Sequence, residues 1–186
     1  DEKHPLSPVD VNGINKIAGE SYHLLYCDVY GLKTTVLRLT NTYGPGMRIR
    51  DARQIFIGVW VRRLLEGQPF EVWGGEQKRD FTYVDDAAGA FVLAASNPET
   101  IGKAFNIGGH GSVKLKELAD LLIEANGGGS YAIREFPAER QKIDIGDYYA
   151  DDRLIRKKLG WRATTDLRTA LKRTLAYYRK ELRHYV

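Results

Sequence analysis

Cysteine is nearly absent: Cys27 stands alone among 186 residues. That excludes an internal disulfide and thiolate metal binding, and it suits a reducing compartment. Nowhere does the chain approach the roughly 20 consecutive apolar residues that cross a bilayer. Its start, Asp1-Glu2-Lys3-His4-Pro5, has neither the apolar core nor the layout of a signal peptide. A soluble, cytoplasmic protein with no membrane partner is the expectation. His4, His23, His110 and His184 show no metal-ligand spacing, and none neighbours a Ser or Cys in a way that builds a triad; no metal is expected. Also missing is a G-x-G-x-x-G or G-x-x-G-x-x-G after an early strand. The backbone cradle that seats a pyrophosphate at a helix N-terminus is therefore not encoded in these residues, and the sequence reads as a fragment or split half.

What is present is the composition of a folded domain. Hydrophobic residues make up 43%, charged residues 28% and aromatics 11%, far from the charge-rich, apolar-poor range of disorder. The length suits one compact body with room for a smaller lobe. Net charge is +4, with the basic excess concentrated between Arg153 and Arg183. These cations are spread around helices and not interleaved with exposed aromatics, so they read as a solvated face and not a nucleic-acid surface. Anionic small molecules remain a natural partner.

Periodicity gives an α/β order. Ile14, Ile17, Ala18, Leu24 and Leu25 recur at three- and four-residue steps and predict a long amphipathic helix over 12–30, stopped by Gly31. The β-branched, apolar run over 34–39 predicts a buried strand, which Asn41-Thr42-Tyr43-Gly44-Pro45-Gly46 should break into a loop. A helix over 54–66 closes on Gly67 and Pro69, and strands follow over 70–73 and 79–84. Asp85 is the expected N-cap of a helix reaching 95. A strand over 103–107, a helix over 115–125, a strand over 131–136 and helices over 152–159 and 167–182 complete the chain. Trp60, Trp73, Trp161, Tyr177 and Tyr178 read as core.

Four segments carry chemistry. Asn12-Gly13-Ile14-Asn15-Lys16, with Glu20 one turn later, resembles the catalytic helix of the extended short-chain dehydrogenase/reductase family, which carries Tyr-x-x-x-Lys. Residues i and i+4 share a helix face, so a phenol and an ammonium can address the same ribose and substrate hydroxyl, the ammonium lowering the phenol's pKa. Here Asn12 stands at the Tyr position, and an amide can position a hydroxyl but cannot act as a general base. Arg38-Leu39-Thr40-Asn41-Thr42-Tyr43-Gly44-Pro45 is similar to the R-x-x-N-x-Y-G-P segment of NAD-dependent nucleotide-sugar epimerases and dehydratases. Gly74 to Asp86, with Arg79-Asp80-Phe81 inside it, looks like the same family's R-D-F-x-Y-V-x-D stretch. Arg140 to Asp147, then Tyr149-Ala150-Asp151 and Leu159-Gly160-Trp161, resembles its R-x-x-D region and closing helix, with one extra residue between Arg140 and Asp144. Asn106-Ile107-Gly108-Gly109 is similar to a structural turn of the family.

The resemblance runs from about Pro8 to Tyr178. It implies the C-terminal part of a Rossmann-like extended fold with its smaller α/β substrate-binding domain. Residues 1–50 would end the NAD-binding part; 51–186 would be mainly substrate-binding, with elements returning to the Rossmann-like sheet. By the same resemblance Lys16 and Asn12 occupy the catalytic positions, and Lys16 and Thr40 face NAD. Asn41, Arg79 and Arg140 hold the nucleotide-sugar diphosphate, and Asp144 or Asp147 accepts from ribose hydroxyls. Asp80 is expected to hold the local turn or the Arg. The implied reaction is transient hydride transfer at C4 of a UDP- or dTDP-sugar, in a homodimer paired through the Lys16 helix and its neighbour, with an N-terminal Rossmann half in addition. A non-catalytic nucleotide-sugar-binding or assembly module is the alternative that Asn12 favours, and a nucleic-acid binder using the basic tail is a third.

Overall fold

Asp10 opens the first helix, α1 (Val11–Tyr30), from extended backbone. Its Oδ1 accepts from the Gly13 N–H at 2.7 Å, pairing one of the donors that a helix start leaves free. Gly31 ends the helix at φ 67°, where its N–H returns to Cys27 O at 3.1 Å; glycine takes that left-handed backbone without a Cβ penalty. The computed structural model describes residues 1–51 and 55–186. Among them the order continues as β1 (Val36–Leu39), β2 (Asn41–Tyr43), α2 (Phe56–Leu65), β3 (Phe70–Trp73), β4 (Lys78–Tyr83), α3 (Val84–Ser96), β5 (Ala104–Ile107) and β6 (Ser112–Lys114). The chain then forms α4 (Leu115–Asn126), β7 (Tyr131–Arg134), α5 (Ala138–Gln141), α6 (Arg153–Leu159) and α7 (Leu167–Glu181).

Pairing is mostly parallel, as an α/β chain with helical crossovers requires. β1 lies beside β5, from Val36 opposite Ala104 to Leu39 opposite Ile107. β2 runs parallel to β4, β6 flanks β4 in the antiparallel sense, and β3 runs parallel to β7. Thr40 is the hand-over between sheets: its N–H reaches Ile107 O at 3.2 Å, and the next residue begins β2 on a different partner. The segment from Asn41 to Tyr43 is therefore a strand and not the expected loop. Burial explains it, because Tyr43 is enclosed and meets Phe81 and Tyr83 edge-on at 6.1 and 6.0 Å.

Two apolar clusters form. The larger gathers α2, α4 and α7 around β3 and β4, with Trp60, Val61, Phe70, Leu118, Leu171 and Tyr178 buried in it; each such side chain contributes roughly 1.5–3 kcal/mol. The smaller joins Phe105 and Ile107 of β5 to Ile155 of α6 and to Trp161. Trp73, expected in the core, is 38% exposed. The short elements β6 and α5 were not foreseen, since three or four residues carry too little periodicity to register. Gln54, where the second helix was expected to begin, lies outside the described residues.

Asp85 is not the N-cap of α3. Tyr83 takes that position without a side-chain bond, and both Asp85 and Asp86 sit in the first turn, where the helix dipole favours acids. Asp86 is buried and ties α3 to the approach to α7. It accepts from Thr164 N–H at 3.1 Å, Thr164 Oγ1–H at 2.7 Å and Thr165 N–H at 3.0 Å. Burial opposes the charge, but the bonds from Thr164 and Thr165 outweigh it and hold the carboxyl below the usual carboxylate range. With a depressed folded pKa, the stabilisation is complete above the unfolded value of about 3.9 and is lost as pH falls through the folded value. Asp86→Ala should cost roughly 2–4 kcal/mol in urea denaturation near neutral pH, and less below about pH 3. An equal cost at both pH values would remove the ionised carboxylate from this account.

Candidate functional site

β4 carries Lys78, Arg79 and Asp80 in succession, and each holds a different part of the chain between 144 and 150. The Lys78 N–H donates to Asp147 Oδ1 at 2.9 Å, and Lys78 O accepts from the Tyr148 N–H at 3.0 Å. Arg79, 6% exposed, donates from Nη2 to Asp144 Oδ1 at 2.7 Å and from Nη1 to the Gly146 carbonyl. Asp80, 1% exposed, accepts from the Gly109 N–H at 2.8 Å through Oδ1 and from the Ala150 N–H at 3.2 Å through Oδ2. Burial pushes the Asp80 carboxyl up, and these two N–H donors pull against it. Asp80 thus secures two loops, and Arg79 is held by Asp144. The segment 137–149 is exposed along nearly all of its length, so it is a strap tied to the body through β4.

Beside this anchor lies a cavity of about 590 Å³ lined by residues of α2, β3, β7 and the strap. Its apolar wall is aromatic. Phe56, Trp60 and Phe70 succeed one another at ring-centroid separations of 4.8 and 4.9 Å, and Trp73 meets Phe136 edge to face at 6.1 Å. Arg79, Arg140 and Asp144 share the same cavity. Two further cations in the lining have partners: Arg63 donates to Gln68 Oε1 at 2.7 Å, and Arg134 pairs with Glu71 at 3.1 Å. The Arg140 guanidinium makes no hydrogen bond or ion pair among the described residues. An aromatic wall beside guanidinium groups suits an apolar ring attached to an anion, because the guanidinium fork matches the spacing of phosphate or carboxylate oxygens.

The other sequence-derived candidates lie elsewhere. Asn41 lines a separate open hollow of about 470 Å³ with Tyr43, Gly44 and Met47, and its Nδ2–H donates to Asp80 O at 3.1 Å. Thr40 is buried, and its hydroxyl shares a 2.7 Å hydrogen bond with Thr82 Oγ1. Asn12 and Lys16 are exposed on α1, and their side chains have no hydrogen-bond or ion-pair partner among the described residues. Asp144 and Asp147, read from sequence as acceptors for a ligand, already hold Arg79 and the Lys78 N–H.

Sequence reasoning missed one contact that joins two motifs. Arg38 Nε and Nη2 donate to the Glu20 carboxylate at 2.9 and 2.5 Å, linking α1 to β1. The hydrogen bond to Glu20 raises the Arg38 pKa against the opposing effect of burial. An opposite-charge pair on adjacent motifs was the available signal, but residues 18 apart are paired only by the fold.

A family model described as the NAD dependent epimerase/dehydratase family matches residues 1–108. A dTDP-glucose 4,6-dehydratase of Actinoplanes sp. is 31% identical over 179 residues, which is 96% of this chain and 54% of that protein. Among solved structures, the UDP-glucose 4-epimerase of Thermotoga maritima, determined with UDP-glucose, is similar with a TM-score of 0.80 at 32% identity, covering 91% of this chain and 53% of that one. The dTDP-glucose 4,6-dehydratase of Streptomyces venezuelae, determined with NAD bound, gives a TM-score of 0.86 at 25% identity, covering 99% of this chain and 55% of that one. The chain spans about half the length of the relatives it matches.

Proposed function

Because the chain belongs to the NAD dependent epimerase/dehydratase family, we propose that it is the C-terminal, mainly substrate-binding portion of an enzyme acting at C4 of a UDP- or dTDP-sugar by transient hydride transfer. The observation that carries this reading is the meeting of Arg79, Arg140 and an aromatic wall in one cavity. In this reading the nucleotide base lies along the wall near Trp73 and Phe136, and the diphosphate faces Arg79 and Arg140. The T. maritima relative, determined with UDP-glucose, supports that substrate class. Residues 1–50 end the NAD-binding part and 51–186 are mainly substrate-binding; the return of β5 to pair with β1 supports that division.

NAD, when bound, supplies the hydride acceptor and donor. Lys16 fits its ribose edge, being exposed and unpaired among the described residues, with Asn12 one turn away on the same helix face. Thr40 does not fit a direct contact, since its hydroxyl is engaged with Thr82 in a buried pair. No glycine-rich pyrophosphate cradle exists in these residues, so in this reading that part of the cofactor falls to an N-terminal Rossmann half, which the chain's span of about half its relatives' length supports. Asn12 orients a hydroxyl and takes no proton; the base comes from another residue. A non-catalytic nucleotide-sugar-binding module is the second reading, and Asn12 is the observation that favours it.

A homodimer through α1 and α3 is part of the proposal. α1 buries none of its residues, and Ile14, Leu25 and Val29 on it, with Phe91 and Val92 on α3, are each more than half exposed. Apolar faces of this kind call for a cover.

Arg79→Ala and Arg140→Ala should each weaken UDP binding by on the order of 1–3 kcal/mol in calorimetric titration; unaltered affinity in both would take the diphosphate out of this cavity. Turnover of UDP-glucose or dTDP-glucose by a full-length protein that retains Asn12 would end the non-catalytic reading. Leu25→Asp combined with Phe91→Asp should shift sedimentation from dimer to monomer, and an unsubstituted chain that sediments as a monomer would contradict the pairing.

A further inference from the structure

The two candidate phosphate ligands are not equivalent. The Arg140 guanidinium has no partner among the described residues, whereas Arg79 already holds an anion. Asp144 Oδ1 lies 2.7 Å from Arg79 Nη2, and the two side chains are only 22% and 7% exposed. The Gly146 carbonyl takes Nη1, and the Gly146 N–H in turn donates to Asp144 Oδ2 at 3.1 Å. The carboxylate and the adjacent peptide therefore occupy both terminal nitrogens of Arg79, the atoms a phosphate would use. So deeply buried a guanidinium leaves little surface for a second anion.

We propose that Asp144 is an internal competitor for the diphosphate of the ligand, a reading that rests on the cavity being a nucleoside-diphosphate site. Asp144 neutralises Arg79 and draws the strap against β4. A diphosphate enters by exchanging with it, one charge-assisted contact replacing another, and the Arg140 end of the strap is released to close on the ligand. The strap stays attached during this exchange. Asp147 Oδ1 accepts from the Lys78 N–H, the Tyr148 N–H donates to Lys78 O, and the Ala150 N–H donates to Asp80, and none of these bonds involves Arg79. Asp144 is thus a positioning residue that acts through Arg79 and sets the threshold for anion binding.

The sign of one substitution separates this role from a structural one. A carboxylate that only braces the strap would weaken binding when lost; a competitor would strengthen it. Binding of UDP and of inorganic pyrophosphate would be measured by calorimetry on the unsubstituted chain, Asp144→Asn and Glu139→Gln. Glu139 lies on the same strap in α5 and makes no side-chain contact with Arg79 among the described residues, so it controls for the removal of a charge. Trypsin cleavage after Arg140 and Lys142 in the ligand-free proteins would report strap release independently of any ligand.

Asp144→Asn should bind both anions on the order of tenfold tighter, Glu139→Gln should change affinity by less than about twofold, and Asp144→Asn should be cut faster at both sites. Binding by Asp144→Asn that is equal to or weaker than that of the unsubstituted chain would overturn the exchange while leaving the diphosphate site standing. Equal tightening by Glu139→Gln would reduce the effect to net charge and overturn it as well. Unchanged cleavage would overturn the strap's attachment through Asp144. If no form binds either anion, the diphosphate reading itself falls, and the exchange with it.

Discussion

A carboxylate inside a protein needs donors, and Asp80 takes its two from loops that are far apart in sequence. The Gly109 N–H comes from the turn after β5, and the Ala150 N–H from the approach to α6. The backbone carbonyl of the same residue receives the amide of Asn41. One buried side chain thus fixes the position of β4 relative to both apolar clusters, and an unpaired carboxylate there would be strongly disfavoured. Gly109 allows the approach: a Cβ at that position would stand 2.0 Å from Phe81 O, so only a residue without one brings its N–H to Asp80 undisturbed.

The cavity inherits its charged lining from that placement. Lys78 and Arg79 precede Asp80 on the same strand, and once Asp80 is fixed they meet the strap in register, backbone to Asp147 and Tyr148, guanidinium to Asp144. The aromatic wall has a different origin, in the stacking of Trp60 on Phe70 and of Phe70 on Tyr131 at 4.9 and 5.6 Å. Trp60 can lie there because its Nε1–H finds Glu71 O at 3.0 Å. The site is therefore a seam between an electrostatic anchor and a hydrophobic stack. The T. maritima and S. venezuelae relatives share the Rossmann-like α/β setting in which that seam lies.

Periodicity and punctuation were enough for α1, α2, α4 and α7, with Gly31 and Gly67 legible as the stops of the first two. They were not enough for β2 or for α5. A three-residue strand is defined by its partner across the sheet, and that partner, β4, lies about forty residues further on. The exposure of Trp73 was also unreadable, because an aromatic on a strand has the same pattern whether the face it points to is filled or hollow.

The motifs named the candidate residues, and here the line between sequence and structure is sharp. Residue type and spacing determined by themselves the α/β class, the family resemblance, the loss of a titratable group at Asn12 and the absence of a pyrophosphate cradle, because each is a property of which atoms are present and in what order. Only the tertiary structure decided which of those residues share a space. It put Arg79, Arg140 and Asp144 in one cavity, set Asn41 beside another, closed the Thr40 hydroxyl on Thr82, and placed Glu20 on Arg38. Hydrogen bonds and ion pairs act over a few ångströms, and which charged groups come within that range is set by how the chain packs.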